Sequence, residues 1–160
     1  MNSDFKDLLR IFVEQEVRFL VVGGYAVIHY AQPRYTKDLD LWIEPTVENA
    51  RKLMRAFRSF GLPLVGLEES DFAEPGTQFS VGVPPCEIDL LTTIPGLEFS
   101  SCWENRVTSE EDGIVVPYLG KADLGKADLV EAKRTAGRPQ DLADLEELQR
   151  AIPESDDDSA

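Results

Sequence analysis

The sequence contains few of the residues that form covalent cross-links, zinc sites or membrane spans. Its 160 residues include two cysteines, Cys86 and Cys102, and one histidine. Two cysteines exclude a disulfide-rich scaffold and a four-cysteine zinc site. No apolar run approaches the roughly 20 residues of a transmembrane helix, and residues 1–4 lack the basic start of a signal peptide. These absences predict a protein with no membrane partner and a reduced, cytoplasmic location.

Basic residues are also scarce, since 16 Lys and Arg stand against 30 Asp and Glu and give a net charge of −14. Four of the acids lie in residues 154–160, which contain no base and follow Pro153. We expect this polar segment to be a disordered acidic tail. Residues 1–153 are long enough for one core, so they predict a single domain. The acidity argues against indiscriminate nucleic-acid binding, because phosphate contacts depend on Lys and Arg.

Apolar periodicity and turn residues predict an alternation of helices and strands. The predicted strands are Phe19–Val22, Leu39–Ile43, 77–83, 87–92 and 114–116, and the third and fourth of these are expected to form a hairpin across Pro84 and Pro85. The predicted helices with bounds are 4–15, 25–31, the segment between Thr46 and Gly61, 121–136 and 139–151; residues 62–76 are expected to be loop. The order α-β-α-β-α-β-β-α-β-α-α predicts an α/β (α+β) domain with a mixed sheet and two C-terminal helices.

Three aspartates are placed to share one face of that sheet. Side chains alternate along a strand, so Asp38 and Asp40 point the same way while Leu39 points into the core. Two carboxylates so close repel each other unless a cation lies between them, and oxygen ligands suit Mg²⁺ or Mn²⁺. If the strand holding Asp89 lies beside Leu39–Ile43, the three acids form a site for two divalent ions and phosphoryl displacement. Each acid alone would be typical of an ordinary strand surface.

Gly23 and Gly24 stand between the first predicted strand and the next helix. Glycines there let the backbone approach a phosphate, with N–H groups at the helix start facing the anion. Such a pair also forms simple tight turns. Its position before two alternating aspartates favours a nucleotide site. The strand of these aspartates also contains Trp42, which the pattern places either on the polar face or beneath a helix.

Together these motifs resemble the nucleotidyltransferase superfamily that shares the DNA polymerase beta fold. Its signature is apolar-Gly-(Gly or Ser), a spacer, Asp-apolar-(Asp or Glu)-apolar and a later third acid; this sequence has Val22-Gly-Gly24, Asp38-Leu-Asp-Leu41 and Asp89. Arg34-x-Thr36 before Asp38 and the stretch from Lys133 to Asp144 further resemble the AbiEii-type group, which includes toxin nucleotidyltransferases. The resemblance spans roughly residues 17–148. It implies a small mixed sheet with helices mainly on one face.

The resemblance also implies roles for individual residues. Asp38 and Asp40 would bind the ion that carries the NTP phosphates, and Asp40 with Asp89 the ion that activates an acceptor hydroxyl. The residues implied to contact the nucleotide are Gly23, Gly24, Arg34, Thr36 and Lys133. Alternatively, Arg34 and Thr36 only neutralise the aspartates or cap a turn, and Lys133 only favours a helix C-terminus. The implied reaction moves a nucleoside monophosphate from an NTP to the hydroxyl and releases pyrophosphate.

The sequence leaves the acceptor and partners open. A tRNA end, a protein hydroxyl and a small molecule such as an antibiotic all fit, and the toxin group implies a cognate antitoxin. Over half of the basic residues gather on two predicted helices, which is typical of a solvated face or of an RNA-binding surface: Arg51, Lys52, Arg55, Arg58, Lys121, Lys126, Lys133, Arg134 and Arg138. Little chain remains for a separate acceptor domain, so a homodimer could complete the site. The alternative is a non-catalytic nucleotide-binding or antitoxin-like module with the same fold.

Overall fold

The computed structural model describes residues 3–30, 38–62, 66–82 and 87–134, with side chains of the last helix described to residue 127. The helices are α1 (Ser3–Glu14), α2 (Gly23–Tyr30), α3 (Val47–Phe60), α4 (Phe99–Glu104) and α5 (Lys121–Arg134), with a short 3₁₀ helix at Glu69–Phe72. The strands are β1 (Phe19–Val22), β2 (Leu39–Ile43), β3 (Gln78–Val81), β4 (Ile88–Leu91), β5 (Val107–Glu111) and β6 (Ile114–Tyr118). The predicted helix 139–151, the tail 154–160, Cys86 and the Pro84–Pro85 turn lie outside the described residues. No helix in the described part is long and apolar enough to cross a membrane.

The strands form one mixed sheet in the order β3-β4-β2-β1-β6-β5. The central strand β2 is antiparallel to β1 and parallel to β4, and β1 is parallel to β6. Antiparallel pairs close both edges, β3 with β4 and β5 with β6. The predicted mixed α/β architecture is therefore confirmed. The predicted antiparallel pairing of the strands on either side of Pro84 and Pro85 is confirmed as well.

Helices α1 and α3 cover the apolar face of the sheet. The Phe12 ring of α1 meets Phe19 of β1 and Phe57 of α3 edge-on, with centroids 5.5 and 5.4 Å apart. Phe19 is paired with Ile43 of β2, so it shares a face with Leu41, and all five side chains are essentially inaccessible to solvent. Burying this face supplies the main apolar core. The opposite face of β2, which carries Asp40, is thereby left to the functional site.

Residues 93–120 differ most from the sequence prediction. The order of elements predicted a helix there without bounds, and the structure shows it as α4. Strand β5 was not predicted. Strand β6 extends to Tyr118, beyond the predicted end at residue 116. β5 reads Val-Thr-Ser-Glu-Glu, with one apolar residue. As an edge strand it needs only one neighbour, and charged residues there discourage pairing with other chains. An edge strand of this kind has almost no apolar alternation to detect.

Asn49 joins the start of β1 to the end of β2. It is 3% exposed, its Oδ1 accepts from the Arg18 N–H at 2.7 Å, and its Nδ2 donates to the carbonyls of Arg18 and Glu44 at 2.9 and 3.0 Å. Its own N–H donates to Thr46 Oγ1, the N-cap of α3. The amide side chain thus satisfies three backbone groups on two segments, one before β1 and one after β2.

We expect Asn49→Ala to lower the free energy of unfolding by about 2–3 kcal/mol, because it removes three hydrogen bonds of a buried side chain at about 0.5–1.5 kcal/mol each. Chemical denaturation monitored by circular dichroism measures this change. Asn105→Ala, at the exposed C-terminal end of α4, is the control and should change stability by about 0.5 kcal/mol or less. Equal losses in the two variants would contradict the role of Asn49.

Candidate active site

One level of the sheet carries a transverse row of side chains across four strands. Asp40 of β2 is paired with Asp89 of β4, and Asp89 with Ser80 of β3. On the other side, Asp40 is paired with Val22, the last residue of β1. Paired residues on neighbouring strands share a face of the sheet. The expected adjacency of the Asp89 strand and the Asp40 strand is therefore confirmed, and the two acids lie side by side.

Gly23 brings the backbone against the Asp40 carboxylate. It is the first residue of α2 and has φ +67°. A Cβ built on Gly23 would lie 2.0 Å from Asp40 Oδ2 and 2.8 Å from its Cγ. No other residue fits this position without displacing the carboxylate. The helix starts at Gly23 rather than at the expected residue 25, so the glycines form the first turn of α2 instead of a loop before it.

The neighbouring acids act on Asp40 in particular. Burial raises the pKa of Asp40 to about 8, and the charge of Asp89, a hydrogen bond with Asp89 and the charge of Asp38 act in the same direction. Asp38 directly precedes β2, and its Oδ1 is buried without a hydrogen-bond partner among the described residues. Asp89 Oδ1 accepts a short hydrogen bond from Ser80 Oγ. A half-buried pair of acids in contact is unfavourable unless a proton or a cation reduces its charge.

The donor set fits a hard divalent cation in its chemistry. It consists of carboxylate oxygens only, which Mg²⁺ and Mn²⁺ prefer, and Asp38 Oδ1 is a buried oxygen that lacks a partner within the described part of the chain. As the side chains are placed, no three His, Cys, Asp or Glu residues within the described ranges form a set that could already hold a metal ion. Asp40 and Asp89 are in contact, so an ion would have to separate them and draw in Asp38.

Three other residues predicted to contact the nucleotide have no described side chain. Arg34 and Thr36 lie outside the described residues, and Lys133 lies in α5 beyond the last described side chain. Gly24 follows Gly23 in the first turn of α2. The structure therefore brings together Gly23, Asp40 and Asp89, with Asp38 near enough to affect Asp40.

Trp42 closes the far end of the face that carries the acids. Its side chain is 1% exposed, and its ring meets Phe99 of α4 edge-on at 5.2 Å. Phe99 in turn stacks on Trp103 at 5.8 Å. Of the two positions that the sequence left open, Trp42 thus occupies the one beneath a helix. Helix α4 limits the acid site to the end of the face where β1 meets α2.

The basic residues of α3 do not border the acids. Helix α3 packs through Phe57 on the opposite face of the sheet, and Arg51 and Lys52 are paired with Glu69 and Glu48 at 3.1 and 3.6 Å. A cavity of about 420 Å³ near the start of β1 contains Lys52 and Arg106 in its lining, but none of the three aspartates. These cations therefore do not line the acid site.

Comparison with known proteins identifies the fold. No protein-family model matches the chain, and no curated protein matches it significantly. Among solved structures, the lincosamide antibiotic adenylyltransferase LnuA with bound lincomycin is 13% identical, with a TM-score of 0.58 over 95% of this chain and 98% of that one. ANT(2")-Ia in complex with adenylyl-2"-tobramycin is 12% identical, with a TM-score of 0.67 over 97% and 91%.

A third solved structure shares the same backbone arrangement. An antigenic nucleotidyltransferase-like protein from Paracoccidioides brasiliensis is 17% identical, with a TM-score of 0.56 over 92% of this chain and 74% of that one. At such identities the likeness concerns the backbone arrangement. All three likenesses extend over 92–97% of this chain. The chain therefore has the nucleotidyltransferase fold.

Proposed function

We propose that the protein is a divalent-metal-dependent nucleotidyltransferase that moves a nucleoside monophosphate from an NTP to an acceptor hydroxyl. The observation that carries this proposal is the contact between Asp40 and Asp89 on paired strands, with Gly23 against Asp40 at the start of a helix. A non-catalytic module would have no need for two half-buried carboxylates in contact, since such a pair destabilises the fold. A carboxyl whose pKa is raised by burial and by neighbouring acids, as that of Asp40 is, is typical of a functional site.

The proposed reaction assigns a task to each element of the site. The acceptor oxygen bonds to the α-phosphorus of the NTP, the bond from that phosphorus to the bridging oxygen breaks, and pyrophosphate leaves with that electron pair. Asp89 accepts the proton of the acceptor hydroxyl. Asp38, Asp40 and Asp89 would hold Mg²⁺, which supplies charge stabilisation for the phosphates. The backbone at Gly23 and Gly24, free of side chains, lets the triphosphate approach the first turn of α2.

For the acceptor we propose a small hydroxyl-bearing molecule. The structures of LnuA and ANT(2")-Ia hold lincomycin and adenylyl-2"-tobramycin, and this chain matches 98% and 91% of their lengths. A chain of this size is therefore sufficient for a small acceptor, and no separate domain is required. The α3 cations, which could have guided an RNA, lie across the sheet from the acids. Transfer to tRNA or protein, an antitoxin partner and a homodimer stay predictions from the sequence resemblance.

Incubation of the purified protein with each α-labelled NTP and Mg²⁺ tests the activity. The acceptors are a panel of hydroxyl-bearing antibiotics and amino sugars, and separately total tRNA. We expect label to pass to a small molecule in a Mg²⁺-dependent reaction and the Asp38→Ala/Asp40→Ala variant to lose it by at least about 10³-fold. Equal transfer by that variant would disprove the proposed mechanism. Labelled tRNA with unlabelled small molecules would overturn the proposed acceptor class alone.

A further inference from the structure

Ser80 is the outermost polar residue of the transverse row. It lies on β3, whose neighbour is β4, and its register partner is Asp89. Its Oγ donates a short hydrogen bond to Asp89 Oδ1. Ser80 is exposed, and the residues before and after it, Phe79 and Val81, turn to the other face of the sheet. Burial and packing therefore give no reason for a hydroxyl side chain at this position. The hydrogen bond to Asp89 does.

This hydrogen bond restricts the orientation of the carboxylate. Asp89 is held from one side by Ser80 and meets Asp40 on the other, because β4 lies between β3 and β2. Without Ser80, the side chain of Asp89 could rotate away from Asp40 toward solvent, since like charges repel. In metal sites, groups that hydrogen-bond a ligating carboxylate orient it, and their loss weakens metal affinity.

We propose that Ser80 is a positioning residue that keeps the Asp89 carboxylate turned toward Asp40, so that the two acids can share one divalent cation between them. This inference rests on the proposed function. Ser80 touches neither the reacting atoms nor the ion; it acts through Asp89. The antiparallel pairing of β3 with β4 places the Ser80 hydroxyl beside Asp89, because the register puts Ser80, rather than an apolar neighbour, opposite Asp89.

Mn²⁺ binding to the full chain, measured by electron paramagnetic resonance without nucleotide, tests the inference apart from activity. We expect Ser80→Ala to weaken Mn²⁺ binding about 10-fold and to slow transfer similarly at limiting metal, with partial recovery at saturating metal. Ser80→Thr keeps the hydroxyl on a β-branched side chain that suits a strand, and should restore both values to within about twofold. Gln78→Ala is the matched control, since Gln78 is exposed on the same face of β3 but pairs with Leu91.

The outcomes separate this inference from the proposed function. Wild-type-like Mn²⁺ binding by Ser80→Ala, in a wild-type protein that binds Mn²⁺ and transfers nucleotide, would overturn the role of Ser80 alone. Equal weakening by Gln78→Ala and Ser80→Ala would also overturn it, because the effect would then belong to the edge strand. A wild-type protein that neither binds Mn²⁺ nor transfers nucleotide would overturn both. Melting temperatures of the three variants establish that each is folded.

Discussion

Replacing Asp40 with Asn should abolish nucleotidyl transfer and, at the same time, stabilise the metal-free protein. Asp40 touches Asp89 and the backbone of Gly23 in a mostly buried position. Asn keeps the shape, removes one charge from the pair and can donate a hydrogen bond to Asp89. We expect a loss of at least about 10³-fold in transfer and a rise of about 5 °C in the melting temperature at pH 8 without metal, corresponding to about 2 kcal/mol.

The raised pKa of Asp40 also makes the stability of the metal-free protein depend on pH. The folded pKa of Asp40 is raised to about 8, while the unfolded value is about 3.9. Between these values the folded protein holds a proton that the unfolded chain has released, so the stability of the metal-free protein falls as pH rises from about 4 to about 8. Differential scanning fluorimetry from pH 5 to pH 8 should show this fall in the wild type and a flatter profile in Asp40→Asn.

The matched control for charge removal is Glu110→Gln on the exposed edge strand β5. It should leave transfer and the pH profile unchanged. Adding Mg²⁺ should raise the melting temperature of the wild type and of Glu110→Gln, because an ion that binds only the folded state stabilises it, but should have little effect on Asp40→Asn. A destabilised Asp40→Asn protein at pH 8 would contradict the proposed repulsion between the acids.

Gly23→Ala should damage both the fold and the reaction. The new methyl group would lie 2.0 Å from Asp40 Oδ2, and alanine at φ +67° is strained in any case. We expect a loss of stability of about 2–4 kcal/mol, from about 1–2 kcal/mol of backbone strain plus the clash. Displacement of Asp40 by about 1 Å should reduce transfer by at least about 100-fold. Chemical denaturation and the labelled-NTP assay measure the two effects.

Gly61→Ala separates the clash from the strain. Gly61 ends α3 at φ +86°, and a Cβ there would meet nothing within 4 Å. It should therefore cost only the strain of about 1–2 kcal/mol and leave transfer intact. In an Asp40→Ala background most of the clash is absent, so Gly23→Ala should approach the cost of Gly61→Ala. Additive losses in the double variant would show that Gly23 and Asp40 do not interact.

The sequence predicted the central strands and the three acids because their patterns are local. Four apolar residues before Gly23 predict a buried strand, and aspartates alternating with leucines predict one polar face. Pairing of the Asp89 strand with the Asp40 strand is not local. It could be stated only as a condition or through the family resemblance, and the parallel register of β2 with β4 supplies it.

Other features gave a weaker signal. Trp42 lies beneath α4 because Phe99 packs on it, a contact between segments 57 residues apart that no periodicity reports. The contact of Gly23 with Asp40 likewise depends on how α2 leaves β1. Ser80 was missed, although a signal existed: Ser80 and Asp89 lie four residues before Pro84 and four residues after Pro85. A hairpin centred on the two prolines pairs these residues, as the structure shows.

Because β3 lies at the edge of the sheet, its register with β4 alone decides which of its side chains lies opposite Asp89. A slip of one residue between β3 and β4 would replace Ser80 opposite Asp89 by Phe79 or Val81 and turn every β3 side chain to the other face. The acids of β2 and β4 would keep their own pairing. Changes in the length of the chain between the two strands can therefore alter the orientation of Asp89, and with it the proposed cation site, while leaving the fold and every acidic residue in place.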